Sequence, residues 1–239
     1  MTRDSRLATS STLTVGVSVV VPVYRSTVTL PELVQRTHAV LAPLGDYEIV
    51  LVDDGSPRET WEVVSALAEK YPTVQGLRLG RNFGQHNALV AGVRRARYDT
   101  TVTLDDDLQN PPEEIGLLLA ALVDHDVVYG VNNRQAQDRW RRFAGRLVRL
   151  SLRSALGVDS APQISAYRAF RTQLREAFTG DVGPNVSLDA LLSWGGSRFG
   201  SVQVAHRPRT EGTSNYSFTK LVRFALDTAT GYSTLPLQV

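Results

Sequence analysis

The sequence predicts an α/β protein in which a mostly parallel sheet carries helices on both faces. Three observations lead there. Strand-like apolar runs alternate with amphipathic helical patterns over residues 15–130, two of those runs stop at acidic turns, and the regularity breaks after Gly130. Alternation of this kind is how a parallel sheet with both faces covered reads in sequence. The 239 residues suffice for one large α/β domain with an appended part. The absence of cysteine excludes disulfides, thiolate metal sites and a thiol nucleophile, and fits a reducing compartment.

The elements follow in order. Residues 1–14 are rich in Ser, Thr and Arg and lack an apolar core, so a disordered tail is expected, not a secretory signal. A strand over 15–21 ends Val21-Pro22-Val23-Tyr24-Arg25, where the proline caps the strand and shapes a loop against which a base or ribose can lie. A helix over 31–41 precedes a buried strand over 47–52, which stops at Asp53-Asp54-Gly55-Ser56-Pro57 before helical sequence over 59–70. A strand at 74–79, a helix at 85–95 and a strand at 100–104 lead to Asp105-Asp106-Asp107-Leu108-Gln109-Asn110-Pro111-Pro112-Glu113 and a helix over 113–123. A strand at 126–129 closes this half. Beyond it come a basic segment, a short run at 164–170, helical patterns at 172–178 and 188–194, and a strand-like 201–205. No apolar run approaches the roughly 20 residues that span a bilayer.

Both acidic clusters should share one edge, because ligands of open α/β sheets bind outside the carboxyl ends of the strands. Extended geometry sends residues i and i+2 to the same side, so Asp105 and Asp107 can face one cation while Asp106 points away and Gln109 adds an oxygen. Oxygen ligands suit Mg²⁺ or Mn²⁺. The plainer alternative is an acidic turn before a helix whose dipole the acids complement. Asp54-Gly55-Ser56 is equally readable as an ordinary turn with a capping serine. The net charge of +2 gives no argument for nucleic acid, yet residues 134–153 hold seven arginines and one acid. Arg139, Arg142, Arg146, Arg149 and Arg153 recur at helical spacing beside an apolar stripe of Trp140, Phe143, Leu147 and Leu150. That amphipathic helix is either a solvated face or a surface for lipid phosphates. Neither a G-x-x-x-x-G-K-S/T loop nor a G-x-G-x-x-G after the first strand is present, which weighs against P-loop NTPases and dinucleotide oxidoreductases. His86 and His206 stand in loops, where phosphate or sugar contact competes with ordinary hydrogen bonding.

From about residue 15 to the end, the motifs resemble the inverting family 2 glycosyltransferases of GT-A fold, and within them the polyprenyl-phosphate hexose synthases. The likeness rests on Val-Val-Pro-Val-Tyr at 20–24, Val-Asp-Asp-Gly-Ser at 52–56, Arg-Asn-Phe-Gly-Gln-His-Asn-Ala at 81–88, the Asp105-to-Glu113 segment and Arg-Thr-Glu-Gly-Thr-Ser-Asn-Tyr at 209–216. It implies a Rossmann-like sheet with a nucleotide-binding half over 15–130, an acceptor half over 131–212, and a loop and juxtamembrane helix over 213–239. Pro22, Tyr24, Asp53, Asp54, Arg81, Asp105 and Asp106 would line the nucleotide site. Asp105 and Asp107 would be the metal-binding pair with Gln109 as third ligand for Mg²⁺ or Mn²⁺. Arg134, Arg141 and Ser214 would meet acceptor or donor phosphate, with Arg209 closing over the diphosphate.

The resemblance further implies transfer of a hexose or modified hexose from a nucleotide sugar to a polyprenyl phosphate at the cytoplasmic face of a membrane. Relatives carry two C-terminal transmembrane helices, so 221–239 reads as the approach to them in a truncated chain. The segment 83–87 resembles uridine-using relatives more than guanosine-using ones, implying a UDP-sugar with a TDP-sugar as the alternative. A cation and Arg209 would stabilise the departing diphosphate. A phosphate acceptor is already anionic and needs no general base. Some relatives place an acid within 164–168, where this chain has none, which leaves Asp189 as the acceptor-side carboxylate, or simply as charge at a helix N-terminus. The rivals are a family 2 enzyme acting on a soluble hydroxyl and a non-catalytic nucleotide-sugar sensor or membrane adaptor. A homo-oligomer stays open.

Overall fold

The structure, a computed structural model, describes residues 16–132, 164–180, 183 and 186–206. Seven strands form one sheet among these residues: β1 (Val17–Val23), β2 (Tyr47–Asp53), β3 (Val74–Arg78), β4 (Thr100–Thr103), β5 (Val127–Val131), β6 (Arg168–Arg171) and β7 (Phe199–Gln203), in the order β3-β2-β1-β4-β6-β5-β7. All neighbours pair in parallel except β6, which runs antiparallel to both β4 and β5. The boundary expected at 130 therefore falls inside β5, whose two sheet neighbours both come from later in the chain.

Side chains alternate across a strand, and β1 and β2 sort their apolar residues accordingly. Val17, Val19, Val21 and Val23 of β1, with Ile49 and Leu51 of β2, face one core shared with α1 (Thr29–Leu41), α2 (Arg58–Lys70) and α4 (Ile115–Ala121). Val20, Val50 and Val52 face the other, shared with α3 (Gln85–Arg95), the 3₁₀ helix Thr172–Phe178 and α5 (Leu188–Gly195). Burial on both faces explains why these strands read as continuous apolar runs. Two expected helices differ in kind: 113–123 opens with a 3₁₀ turn, Pro112–Glu114, before α4, and 172–178 is 3₁₀ throughout.

Helix α3 approaches the sheet closely at Gly92. A Cβ there would stand 2.3 Å from Val20 Cγ1 and 3.0 Å from Val52 Cγ2. Gly92→Ala should therefore cost about 1–3 kcal/mol by overpacking, although alanine is the better helix former. The midpoint of urea unfolding checks this.

Polar groups at the far edge are paired. Glu48 is fully buried and accepts from Ser18 Oγ (2.7 Å), Gln75 Nε2 (2.7 Å), Arg97 N (2.6 Å) and Arg97 Nε (2.7 Å), so it ties the amino ends of β1 and β2 to the chain entering β4. Ahead of β5, Asp126 accepts the Arg198 guanidinium at 2.8 Å and the amides of Ser197 and Arg198 at 3.1 and 3.0 Å. The Arg198 side chain is the main cause that holds its carboxyl down at about 2. A depressed carboxylate stabilises the fold above its ordinary range and loses that contribution as pH falls through the depressed value. Asp126→Asn should lower the melting temperature at pH 7, and the gap to the parent protein should close as pH approaches about 2.

Candidate active site

The two acidic clusters lie at the carboxyl edge of the sheet, as the parallel β2-β1-β4 order requires. Pro22 is buried in β1 opposite Val52, beyond the last β4 pairing at Val20, so its missing N–H leaves no ladder bond unmade. The loop that follows is sharply shaped. Arg25 has φ 56°, its N–H donates to Ser56 Oγ at 3.0 Å, and its guanidinium lies 5.1 Å from the ring centroid of Tyr24, which is 40% exposed.

Asp53 ends β2 fully buried. Its Oδ1 accepts the Ser56 N–H at 2.9 Å, while Oδ2 accepts no hydrogen bond and stands 3.3 Å from Arg78 Nε. Asp54 is occupied on both oxygens by the amides of Phe83 (2.7 Å) and Gly84 (2.8 Å), so its present role is to hold the loop that leads into α3. Gly55 makes that docking feasible: it has φ 65°, and a Cβ would meet the Arg81 carbonyl carbon at 2.3 Å. Arg81 is exposed beside it, 4.8 Å from the Phe83 ring centroid.

The second cluster departs from the extended geometry expected of it. Strand β4 stops at Thr103, and Asp105, Asp106 and Asp107 lie on a turn in which Leu108 has φ 59°. The alternation rule for strands therefore does not govern where these carboxylates point. Asp106 turns towards the first loop, where its Oδ2 accepts the Tyr24 N–H at 3.3 Å and its carbonyl accepts from Thr29 Oγ1 at 2.6 Å. Burial pushes its carboxyl up to about 7, opposed by the Tyr24 amide and reinforced by the charges of Asp105 and Asp107. Asp105 Oδ1 accepts from Gln85 Nε2 at 2.7 Å, and Asp107 Oδ1 accepts the Gln109 N–H at 3.1 Å. Among the described residues no three His, Cys, Asp or Glu side chains group as a metal site. Two carboxylates and a glutamine oxygen nevertheless fit Mg²⁺ or Mn²⁺, which engage one or two carboxylates and complete their shell with water and substrate phosphates.

Asp189 opens α5 in a different setting. It is 7% exposed, forms an ion pair with Arg168, which is 2% exposed, and accepts from the Tyr129 hydroxyl at 3.0 Å. Arg168 Nε also donates to Thr103 Oγ1 at 3.1 Å, so the pair is tied to the end of β4. The Leu188 N–H donates to His86 Nδ1 at 3.2 Å, which places the ring proton of neutral His86 on Nε2. Burial pushes this imidazole down, with Asp189 opposing and Arg168 assisting. The structure thus assembles Pro22, Tyr24, Asp53, Asp54, Arg81, Asp105, Asp106, Asp107 and Gln109 at one edge, with Asp189 held by its own partners. Arg134, Arg141, Arg209, Ser214, the basic helix and the segment 221–239 lie outside the described residues. Sequence reasoning missed Arg168, Tyr129 and Gln85. A single arginine opening an apolar run carries no sign that it is buried, whereas Gln85 lay in a motif already marked.

The description "Glycosyl transferase family 2" matches residues 18–178. The chain belongs to this family. Curated relatives named undecaprenyl-phosphate 4-deoxy-4-formamido-L-arabinose transferase include one from Pseudomonas paraeruginosa, 38% identical over 93% of this chain and 67% of its own length. Another, from Enterobacter sp., is 38% identical over 93% of this chain and 69% of its own. Among solved structures, glucosyl-3-phosphoglycerate synthase from Mycobacterium tuberculosis with phosphoglyceric acid superposes with TM-score 0.67 at 17% identity, covering 91% of this chain and 80% of that one. A mannosyltransferase from Pyrobaculum calidifontis with GDP-Man and Mn²⁺ gives 0.60 at 17%, over 90% and 69%. These place the glycosyltransferase in the GT-A fold. No helix of its described residues is long and apolar enough to cross a membrane.

Proposed function

We propose that this glycosyltransferase moves a hexose or related modified sugar from a nucleoside diphosphate, UDP in the first instance, to a polyprenyl phosphate with inversion at the anomeric carbon. The observation that carries the choice of acceptor is the ion pair of Asp189 with Arg168. Its Oδ1 is held by Arg168 and the Tyr129 hydroxyl inside the protein, which suits a scaffold role, and a phosphate acceptor, already anionic, needs no general base. The relatives' shared name supports the same class of acceptor.

On this reading, Pro22, Tyr24, Asp53, Asp54, Arg81 and Asp106 form the walls against which base, ribose and diphosphate lie, and residues 15–130 serve the donor while 131–212 serve the acceptor. Asp105, Asp107 and Gln109 would hold Mg²⁺ or Mn²⁺, whose chemistry is to neutralise charge on the departing diphosphate. Arg209 would share that task, and Arg134, Arg141 and Ser214 would meet phosphate oxygens. The basic segment 134–153 would meet an anionic membrane surface. Asp189 serves by fixing Arg168 and, through the neighbouring Leu188 amide, His86.

Incubation of the chain with undecaprenyl phosphate in detergent, Mn²⁺ and a panel of UDP-, TDP- and GDP-sugars, including a 4-deoxy-4-formamido-L-arabinose donor, tests the proposal. A lipid-linked sugar from one nucleotide pool is expected. Sugar appearing only on a water-soluble hydroxyl would favour the rival acceptor class, and no transfer at all would sink both.

A further inference from the structure

The turn after β4 is fastened at alternate residues. Leu104 is fully buried, and its N–H donates to the Val20 carbonyl at 3.1 Å. Leu108 is buried in the core shared with α1, α2 and α4. Between them Asp106 is gripped through polar atoms by the first loop and the start of α1. Its Oδ2 accepts the Tyr24 N–H at 3.3 Å, and its carbonyl accepts the Thr29 hydroxyl at 2.6 Å. The intervening residues, Asp105 and Asp107, carry the carboxylates read as metal ligands. Their spacing therefore depends on how the peptide at Asp106 is held.

Thr29 makes the shorter of the two bonds to Asp106. A hydroxyl has one proton, and Thr29 gives it to the Asp106 carbonyl, so in the 2.9 Å contact between Ser26 Oγ and Thr29 Oγ1 the donor is Ser26. The result is a directed relay in which each bond polarises the next. Helix α1 gains nothing from it. Thr29 is its first residue, the N-cap position is the exposed Val28, and no side chain caps the helix. Valine is a poor N-cap and threonine a good one, yet the Thr29 hydroxyl serves a residue 77 positions away. Among the described residues, the two non-glycine residues in the left-handed region, Arg25 (φ 56°) and Leu108 (φ 59°), adjoin this grip, one beside Tyr24 and one directly after Asp107. Backbone in such conformations persists where its surroundings over-determine it, as at active sites.

We propose that Thr29 is a positioning residue for the divalent cation: its hydroxyl fixes the Asp106 peptide and with it the separation of the Asp105 and Asp107 carboxylates. This rests on the reading of those two acids as metal ligands. Outer partners of a metal site change affinity by about 10–100-fold when removed. Thr29 acts through the backbone between the ligands, so the low end of that range, about tenfold, is expected.

Titration of the full chain with Mn²⁺ in the presence of UDP, followed by the electron paramagnetic resonance signal of free Mn²⁺, tests it. Thr29→Val removes the hydroxyl at nearly constant shape, and Thr29→Ser keeps it. Thr29→Val should raise the Mn²⁺ dissociation constant about tenfold, Thr29→Ser should stay near the parent protein, and Asp107→Ala should show no specific binding. Titrations well below each variant's melting temperature keep folding out of the comparison. In transfer assays Thr29→Val should raise the Mn²⁺ concentration for half-activation while kcat at saturating Mn²⁺ stays near the parent value. Unchanged affinity in Thr29→Val, with binding lost in Asp107→Ala, overturns the role of Thr29 alone and makes its contact structural. An equal loss in Thr29→Val and Thr29→Ser overturns it too, because the hydroxyl would then not be the cause. No specific Mn²⁺ binding by the parent protein overturns the metal reading together with this one.

Discussion

Asp107→Ala should abolish transfer while leaving the protein folded. The side chain sits on a turn outside both cores, where it accepts the Gln109 amide. Losing that bond costs about 0.5–1.5 kcal/mol. The kinetic effect is of another order. A cation at the departing diphosphate supplies several kcal/mol of transition-state stabilisation, and each 1.36 kcal/mol is tenfold in rate, so kcat should fall by about a thousandfold or more. Asp107→Asn separates the two roles, since its neutral oxygen can still accept the Gln109 amide but carries no charge. It should match alanine in rate and the parent protein in melting temperature. Transfer assays with calorimetric titration of UDP, with and without Mn²⁺, read both quantities. Activity within tenfold of the parent in either variant would remove Asp107 from the metal site.

Asp189→Ala should have the largest effect on stability. It leaves the Arg168 guanidinium buried without its counter-ion and the Tyr129 hydroxyl without its acceptor. Breaking a buried pair from one side costs about 3–5 kcal/mol, against a total stability of about 5–15 kcal/mol for an ordinary domain. For a protein of this size the melting temperature should fall by about 6–20 °C. Replacing both partners, Arg168→Met with Asp189→Leu, should recover much of the loss, because the cost lies in the stranded charge. The conservative Asp189→Asn decides the chemistry. A general base contributes about 10²–10⁴ in rate, so near-normal kcat in the folded fraction of Asp189→Asn would leave the carboxylate a scaffold role and support a phosphate acceptor. A loss within that range would turn the assignment towards a hydroxyl acceptor.

The fold was legible wherever burial imposed a pattern. Strands covered on both faces announced themselves as unbroken apolar runs, and the acids at 53–54 and 105–107 marked where those runs end. The direction of β6 was not legible, because a four-residue strand of sequence Arg-Ala-Phe-Arg carries no signal of antiparallel pairing. At the site, sequence named the acids correctly as residents of one edge but could not apportion them. Asp54 spends both oxygens on loop amides, and Asp106 turns inward to Tyr24, because β4 ends at Thr103, before the acids that the alternation argument took as extended. Arg168 escaped notice for a physical reason: its burial depends on a carboxylate 21 positions later in the chain.

The antiparallel strand has a consequence for synthesis on the ribosome. Strands β4 and β5 are not neighbours, since β6 lies between them and bonds to both. While the chain emerges, the first four strands can pair among themselves, yet β4 then presents an open edge and β5 has nowhere to dock until residues 168–171 arrive. The nascent chain must pass through a stage with an unprotected strand edge, the template on which aggregates grow. A fragment ending near residue 131 should therefore be captured by chaperones or precipitate, because the first five strands do not complete a sheet by themselves.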